Sequence, residues 1–429
     1  MSTTPYYDEK APLVLEQELP APVPVTIRHK RPNVFLRLIK FTIAFFGTLL
    51  VLDLFMHGPA ARGISRGCHG MRPHHGHHGK HGHDGGDGHQ HPFPPIDNWK
   101  PFEGTTHFEF DPKVASSFSV RGAKSFGKVV FETSKLSDKV VIDLDIKTNK
   151  VDKDHEVVVK EEAGGLTIST PNTGHLKIHT AARIQIPSNI IGTFGIPSFE
   201  VDVPRFMVDY SELPESLEIG AFTVRVAKGF VKPGLVHTNT TTISIAEGAI
   251  RGTLTHARNN TDVNVVKGNA ELNIPKISSG SEGTTTVHLG NGHLNGSFAI
   301  YNSTAIDVAK GSIWIDADFM DNEHRADFST KLGSGYKRVF VNSIASERLF
   351  SSSHNSVAGD QLITYPANFQ GTIDARGVVG NVKLAGEDLD VEKVIGGLVG
   401  KQGDSDRNYI TVKAVKGALD ILVGDEDEE

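Results

Sequence analysis

The pattern of apolar and polar residues divides this chain into unlike segments. Residues 34–57 are almost wholly apolar, whereas apolar and polar residues alternate from about residue 105 to residue 424. Because successive side chains of a strand point to opposite faces, this alternation predicts strands with one buried face. In Val140–Ile146, for example, the residues Ile142, Leu144 and Ile146 would share one face. Gly, Asn, Asp and Pro interrupt the pattern every eight to twelve residues, which predicts an all-β region.

A short unit recurs within this β-rich region. It places two apolar residues in alternation, followed by a small or apolar residue, a polar residue and a glycine. Its first five glycines are separated by 19, 20, 24 and 19 residues. A period near 20 is typical of stacked coils, each of which buries its apolar residues only against its neighbours. The units are Val224–Gly229, Ile243–Gly248, Val263–Gly268, Val287–Gly292, Ile306–Gly311 and Val412–Gly417.

We therefore predict an elongated β-solenoid-like stack with a repeat of about 20 residues over 105–424. A glycine at the same phase of each unit suits a corner that needs positive φ. The alternative is a set of tandem antiparallel β-sandwiches in which the glycine spacing is coincidental. Since the repeat is less clear before residue 220, a sub-boundary is expected near that position. One short helix is predicted at Glu387–Val399, where the apolar residues have helical spacing.

Residues 34–57 are the one segment hydrophobic enough to span a bilayer. About 20 apolar residues in a helix cross a hydrocarbon core about 30 Å thick. Arg37 and Lys40 would extend toward one interface, with Asp53 at the other. Basic residues are in excess on the N-terminal side, which predicts a cytosolic N terminus and a lumenal or extracellular C-terminal domain. The alternative is a signal peptide cleaved near Gly58–Ala60.

Polar segments flank the apolar one. Residues 1–33 are rich in proline and charge, which predicts a disordered cytosolic arm, and residues 425–429 form an acidic tail. Residues 58–104 form a linker of Gly, Pro and His, with nine histidines from His69 to His91. Their imidazoles could bind Zn, Cu or Ni, or gain positive charge in an acidic compartment. The candidate metal ligands are His74, His75, His77, His78, His81 and His83.

Cysteine content and net charge limit the partners of the chain. Its single cysteine, Cys68, excludes an intramolecular disulfide framework. Cys68 follows the apolar segment by about a dozen residues, and in an oxidising lumen it could form an intermolecular disulfide and so a homodimer. The formal net charge of −7 gives no indication of a nucleic-acid partner.

The glycine-punctuated units resemble the adhesin-like domain found in many bacterial and fungal surface proteins. The resemblance covers residues 220–320 and 410–423. In that family, short strands stack into a β-solenoid behind a single membrane segment. The resemblance therefore implies a single-pass membrane protein of the cell surface or secretory pathway with a structural or adhesive role. Its partners would be cell-wall or extracellular glycans or proteins.

Two other classes of function remain open. Solenoids also host polysaccharide-cleaving enzymes, but these need two carboxylates at a defined separation, and the sequence nominates no such pair. Gly63–Gly67 matches the serine-hydrolase pattern G-x-S-x-G but lies in the linker rather than at a strand-to-helix turn. The acidic residues Asp316, Asp318, Asp321 and Glu323 could bind calcium. We expect no enzyme, with a membrane-tethered glycan-processing enzyme and a metal- or pH-responsive His-rich stalk as alternatives.

Four N-x-S/T sequons begin in the repeats, at Asn239, Asn259, Asn295 and Asn302. All four lie on the side of the apolar segment that is predicted to be lumenal. If they carry glycans, each asparagine must point outward from the folded domain.

Overall fold

A computed structural model describes residues 98–149, 157–162, 164–170, 176–190, 195–276, 283–321, 324–404 and 406–424. Within these ranges the chain forms 23 strands of one sheet, and its only helical element is a 3-10 turn at Ser188–Ile190. The all-β prediction is confirmed. In this part of the chain there is no helix of the length and apolarity that crossing a membrane requires. The predicted anchor at 34–57 lies outside the described residues.

Seven long strands form the centre of the sheet. Each pairs in parallel with the next along the sequence, so that equivalent residues of successive units lie side by side. This pairing is expected of stacked coils and not of tandem antiparallel sandwiches. The strands are β9 (Ile196–Asp209), β10 (Glu218–Lys232), β11 (His237–Thr253), β12 (Asn260–Ile274), β13 (Thr284–Ile300), β14 (Ser303–Phe319) and β15 (Ala326–Ile344).

From β10 to β15, each central strand bends at one glycine, which we call the corner glycine. At Gly229, Gly248, Gly268, Gly292 and Gly311 the φ angles lie between 138° and 154°, a region that L-residues with a side chain rarely adopt. The sequence therefore identified these corners correctly. The corner divides each coil into a first arm before the glycine and a second arm after it.

The corner glycines also stack directly on one another. A Cβ added at Gly268 would lie 1.6 Å from the carbonyl oxygen of Gly248, and one added at Gly292 would lie 1.6 Å from that of Gly268. The backbone of the preceding coil thus occupies the place of the missing side chain. Two further corner glycines, Gly335 and Gly359, continue the column.

Alternation on both arms produces the core. In β14, Ile306 and Val308 point inward before the corner, and Ile313 and Ile315 point inward after it. The same positions of neighbouring coils are buried in one hydrophobic cluster. At about 25 cal/mol per Å² of apolar surface, each fully buried Val or Ile contributes about 1.5–3 kcal/mol.

The stack continues at its N-terminal end with coils that are out of sequence order. The strands β3 and β4 pair in parallel with β9 on one side and with β7 and β8 on the other. Antiparallel strands β5 and β6 then cover the outer edge. The strands are β1 (Lys100–Pro101), β2 (His107–Phe110), β3 (Ser116–Arg121), β4 (Ser125–Ser134), β5 (Val140–Thr148), β6 (Val158–Glu162), β7 (Gly165–Ser169) and β8 (Ile178–Pro187).

The C-terminal end shows a similar exchange of order. The last strands of the chain, β22 and β23, lie between β16–β17 and β18–β19. The antiparallel strands β20 and β21 cover this edge. The strands are β16 (Phe350–Ala358), β17 (Gln361–Tyr365), β18 (Gly371–Val379), β19 (Val382–Gly386), β20 (Asp390–Val394), β21 (Gly397–Gln402), β22 (Tyr409–Lys416) and β23 (Leu419–Val423).

The helix predicted at Glu387–Val399 is wrong. This segment forms β20 and the start of β21, joined by a turn at Gly396 with a φ of 77°. The apolar spacing fits a helix, but the Gly396–Gly397 pair disfavours one and permits a tight turn. Parallel pairing also runs from β9 into β10, across the sub-boundary expected near residue 220.

The corner glycines allow a direct test of the stack. We expect Gly268→Ala to lower the free energy of unfolding by at least about 3 kcal/mol, because it combines an unfavourable φ with a clash against backbone. The matched control is Gly396→Ala, where φ is also positive but no atom lies within 4 Å of the added Cβ. That variant should lose only about 1 kcal/mol. Urea unfolding followed by circular dichroism measures both, and equal losses would contradict the proposed packing.

Candidate functional site

The second arms of the central coils present one outward face of the sheet. On this face, Trp314 of β14 lies beside Asn295 of β13 and Arg338 of β15 in the parallel register. Tyr336 follows the corner of β15, and its ring centroid is 6.1 Å from that of Trp314 at an interplanar angle of 61°. We call Trp314, Tyr336 and Arg338 the aromatic patch.

The sequence places these side chains outward by simple alternation. Ile313 and Ile315 are buried on either side of Trp314, so Trp314 must point to the other face of β14. Its exposed fraction is 48 %, and that of Tyr336 is 38 %. A large aromatic side chain that remains half exposed on a sheet surface is available for a ligand.

Polar side chains border the aromatic patch. Asn295 is exposed next to Trp314 across the ladder, and Asp316 is exposed two residues further along β14. Within the described part of the chain, no side-chain hydrogen bond or ion pair engages Asn295, Asp316 or Arg338. An amide, a carboxylate and a guanidinium group therefore stand around the two rings with unused hydrogen-bonding capacity.

Charged residues at the same register of other coils are paired. Arg251 Nη2 donates to Glu271 Oε1 at 2.6 Å, and Lys383 Nζ lies 3.9 Å from Asp420 Oδ1. Exposed pairs of this kind contribute about 0–1 kcal/mol to stability. They differ from the aromatic patch because their polar groups already have partners.

Polar side chains also replace apolar ones inside two neighbouring coils, β15 and β16–β17. Lys337 occupies the inward position held by Ile313 in β14, and its ammonium group donates to the carbonyl oxygens of Thr330 at 3.0 Å and Asn355 at 2.7 Å. These bonds cross the core from the second arm to the first. We call Thr330, Lys337, His354, Ser356, Gln361 and Tyr365 the polar core cluster.

Hydrogen bonds connect the rest of the polar core cluster. His354 Nδ1 is 2.9 Å from Thr330 Oγ1, and His354 Nε2 is 2.9 Å from the hydroxyl of Tyr365. Gln361 Nε2 donates to Ser356 Oγ at 2.9 Å. All six side chains are buried, so the cluster has no access to a ligand. We interpret it as a structural bridge between the arms.

Burial shifts the protonation of this cluster. It lowers the pKa of Lys337 to about 7, against the opposing attraction of Asp307. Burial, together with the nearby charge of Lys337, lowers the pKa of His354 well below its ordinary value. Both effects disfavour the charged forms, because a buried charge loses its hydration.

Two shallow clefts lie elsewhere on the stack. One, of about 350 Å³, includes Glu218, His237, Asn239 and Arg258 in its lining, and the other, of about 390 Å³, includes Asp143 and Asp145. Each of their carboxylates has a basic neighbour. Glu218 pairs with Arg258 at 3.0 Å, Asp143 with His107 at 2.7 Å and Asp145 with Lys147 at 3.1 Å.

The sequon asparagines have accessible positions. Asn239, Asn259 and Asn295 are exposed, and Asn302 is half-buried. Asn239 and Asn259 lie on neighbouring coils, where the backbone N–H of Asn259 donates to the backbone carbonyl oxygen of Asn239 at 2.8 Å. These positions are compatible with outward-pointing glycans, and glycosylation itself stays a prediction.

Unlike the exposed asparagines, the threonines at the third position of three sequons are buried. Thr241, Thr261 and Thr304 are buried in the folded stack. An enzyme that reads these sequons must therefore act on the chain before the coils fold.

Other predicted site residues are not brought together. The candidate metal ligands from His74 to His83 and the candidate disulfide Cys68 lie outside the described residues, as does Glu323 of the acidic cluster. Asp318 Oδ1 accepts a hydrogen bond from Ser343 Oγ at 2.7 Å. The described residues contain no group of three or more His, Cys, Asp or Glu side chains that could hold a metal ion.

The sequence interpretation missed the aromatic patch. Trp314 and Tyr336 are 22 residues apart, and only the parallel register makes them neighbours. A signal was present nonetheless, because Trp314 falls at an outward position of the alternation that follows the Gly311 corner.

The sequence matches no model of a protein family and no curated protein. Among solved structures, the crystal structure of a candidate cell adhesion protein of Clostridium sporogenes is similar to this chain. The sequence identity is 13%, the match covers 76% of this chain and 100% of that chain, and the TM-score is 0.18. A candidate adhesin of Parabacteroides distasonis is 13% identical, with 74% of this chain and 98% of that chain covered and a TM-score of 0.28. A candidate lipid-binding protein of the same organism is 12% identical, with 76% of this chain and 98% of that chain covered and a TM-score of 0.30. At such identities and TM-scores the likeness carries no argument about function.

Lys337 predicts a measurable pH dependence of stability. Between its folded pKa of about 7 and its ordinary value of 10.5, the unfolded chain binds more protons, so stability rises with pH. Stability is therefore lost as the pH falls from about 10 to about 7. We expect Lys337→Met to remove this loss, which is on the order of 5 kcal/mol. Urea unfolding of both proteins across this range is the measurement, and superimposable pH profiles would contradict the assignment.

Proposed function

We propose that this chain is a single-pass membrane protein of the cell surface or secretory pathway that acts through structural or adhesive binding. The predicted anchor at residues 34–57 would hold the β-solenoid on the lumenal or extracellular side. Its outward sheet faces would bind the partner. The His-rich linker of 58–104 would separate these faces from the membrane.

The aromatic patch is the observation that carries this proposal. Trp314 and Tyr336 stand half exposed on strands that are paired on both sides. Parallel pairing on both edges of a strand restricts its motion, so these side chains keep their relative positions before a partner arrives. Preorganisation of this kind lowers the entropic cost of binding.

The arrangement of carboxylates favours binding over glycoside cleavage. Of the acidic residues in the two described clefts, Glu218 and Asp145 pair with Arg258 and Lys147 within 3.1 Å, and Asp143 is hydrogen-bonded to His107 Nδ1 at 2.7 Å. Glycoside hydrolysis requires two carboxylates that converge on one bond. A glycan-processing enzyme is therefore the less favoured prediction. The metal- or pH-responsive stalk stays an alternative prediction, because its histidines lie outside the described residues.

The experiment is an adhesion assay with the full-length chain. A eukaryotic cell line that grows in suspension would express the protein, and attachment to layers of other cells and to extracellular-matrix surfaces would be counted under flow. We expect increased attachment, together with removal of the β-rich domain from intact cells by added protease. The second measurement tests the proposed orientation at the cell surface.

The matched control is a chain truncated after residue 97, which retains the arm, the apolar segment and most of the linker. It should reach the membrane without increasing attachment. Equal attachment by the truncated chain would contradict a role for the β-solenoid. A full-length chain that is exposed at the surface without promoting any attachment would contradict the adhesive function.

A further inference from the structure

We propose that the aromatic patch is a carbohydrate-binding site, at which a neutral pyranose ring of a partner glycan stacks on Trp314 and contacts Tyr336 at its edge. This inference rests on the proposed function, because it specifies the partner that the outward face would bind. It concerns residues that the repeat pattern did not single out.

The geometry of the two rings suits a sugar. Their planes meet at 61° with the centroids 6.1 Å apart, so a pyranose stacked on the face of Trp314 would have Tyr336 at its edge. The apolar C–H face of a pyranose can cover an exposed aromatic ring and remove it from water. Trp314 remains 48 % exposed and Tyr336 38 % exposed, so part of each residue is open to a ligand.

The size of the patch favours a sugar over a protein. A fully covered Trp or Tyr buries about 150–250 Å², and here 48 % of Trp314 and 38 % of Tyr336 is exposed. The two rings therefore supply far less than the roughly 800 Å² that one partner contributes to a stable protein–protein interface. One or two sugar rings need no larger apolar surface.

The polar border supplies the remaining recognition. Trp314 has Asn295 beside it on β13 and Arg338 beside it on β15, and Asp316 lies two residues further along β14. Amide, guanidinium and carboxylate groups can bond to the hydroxyls at the edge of a stacked ring. The charges of Asp316 and Arg338 balance, so the site favours neutral sugars.

Asn295 is also the acceptor residue of a sequon, and a glycan attached to it would start beside Trp314. Such a glycan would compete with a partner for the same rings. The experiment must therefore begin with protein that carries no N-linked glycan.

The test uses the full-length chain produced in a host without N-glycosylation. Its probes are chitin, cellulose and yeast mannan in pull-down assays, and soluble hexasaccharides of each in titrations. We expect binding to at least one of these neutral glycans. Trp314→Ala should weaken it about tenfold or more, as is typical of a central aromatic contact. Trp314→Phe, which keeps an aromatic ring, should weaken it less.

The matched control is Tyr409→Ala, which removes another exposed ring, 45 % accessible and on the first arm of its coil. It should leave glycan binding unchanged, and circular dichroism should show each variant to be folded. Failure to bind any probe, or equal weakening by Tyr409→Ala, would overturn the inference.

Two further outcomes separate this inference from the proposed function. Cell attachment that persists in Trp314→Ala would overturn the carbohydrate site and leave the adhesive function standing. Attachment that depends on Trp314 but not on any glycan would overturn it in favour of a protein partner.

Discussion

The close approach of one corner glycine to the next is the constraint on which the rest of the structure depends. The carbonyl oxygen of each corner glycine occupies the space where a Cβ on the corner glycine of the next coil would lie. Only glycine satisfies both this approach and the positive φ. The column of glycines thereby fixes where each coil bends and which residues of neighbouring coils lie side by side.

Register at the corner has consequences on both sides of the sheet. Inside, it aligns the apolar residues of both arms into one core. Outside, it aligns like positions into columns, so neighbouring side chains come from residues about 20 positions apart. Arg251 and Glu271 become an ion pair in this way, and Trp314 and Tyr336 become neighbours. The candidate site is thus a product of stacking and not of any local motif.

Local patterns were sufficient to predict part of this architecture. Glycine phase and period-two alternation predicted the corners from Gly229 to Gly311. The corners at Gly335 and Gly359 were missed because their units carry Thr330, His354 and Ser356 where the pattern expects apolar residues. Those polar residues belong to the polar core cluster, so the cluster that bridges the arms also conceals the repeat.

Other features have no local signal. Insertion of β22–β23 between earlier coils depends on contacts more than 30 residues apart, which no short window can reveal. The helix predicted at Glu387–Val399 failed because its spacing of apolar residues fits two structures, and the Gly396–Gly397 pair decides between them. The aromatic patch required the register, which alternation within single strands does not provide.

Disulfide trapping tests the in-register stack most directly. In a chain whose Cys68 is replaced by serine, cysteines would be introduced at Ser244 and Asn264, which are register partners on β11 and β12. Their Cα atoms should be about 4.8 Å apart, within the range of a disulfide. The control pair, at Ser244 and Asp262, is offset by two residues and so roughly 8 Å apart. We predict an intrachain disulfide in the first pair alone, seen as a reducible mobility shift. Crosslinking of the offset pair in preference to the aligned pair would contradict the register and the stack that depends on it.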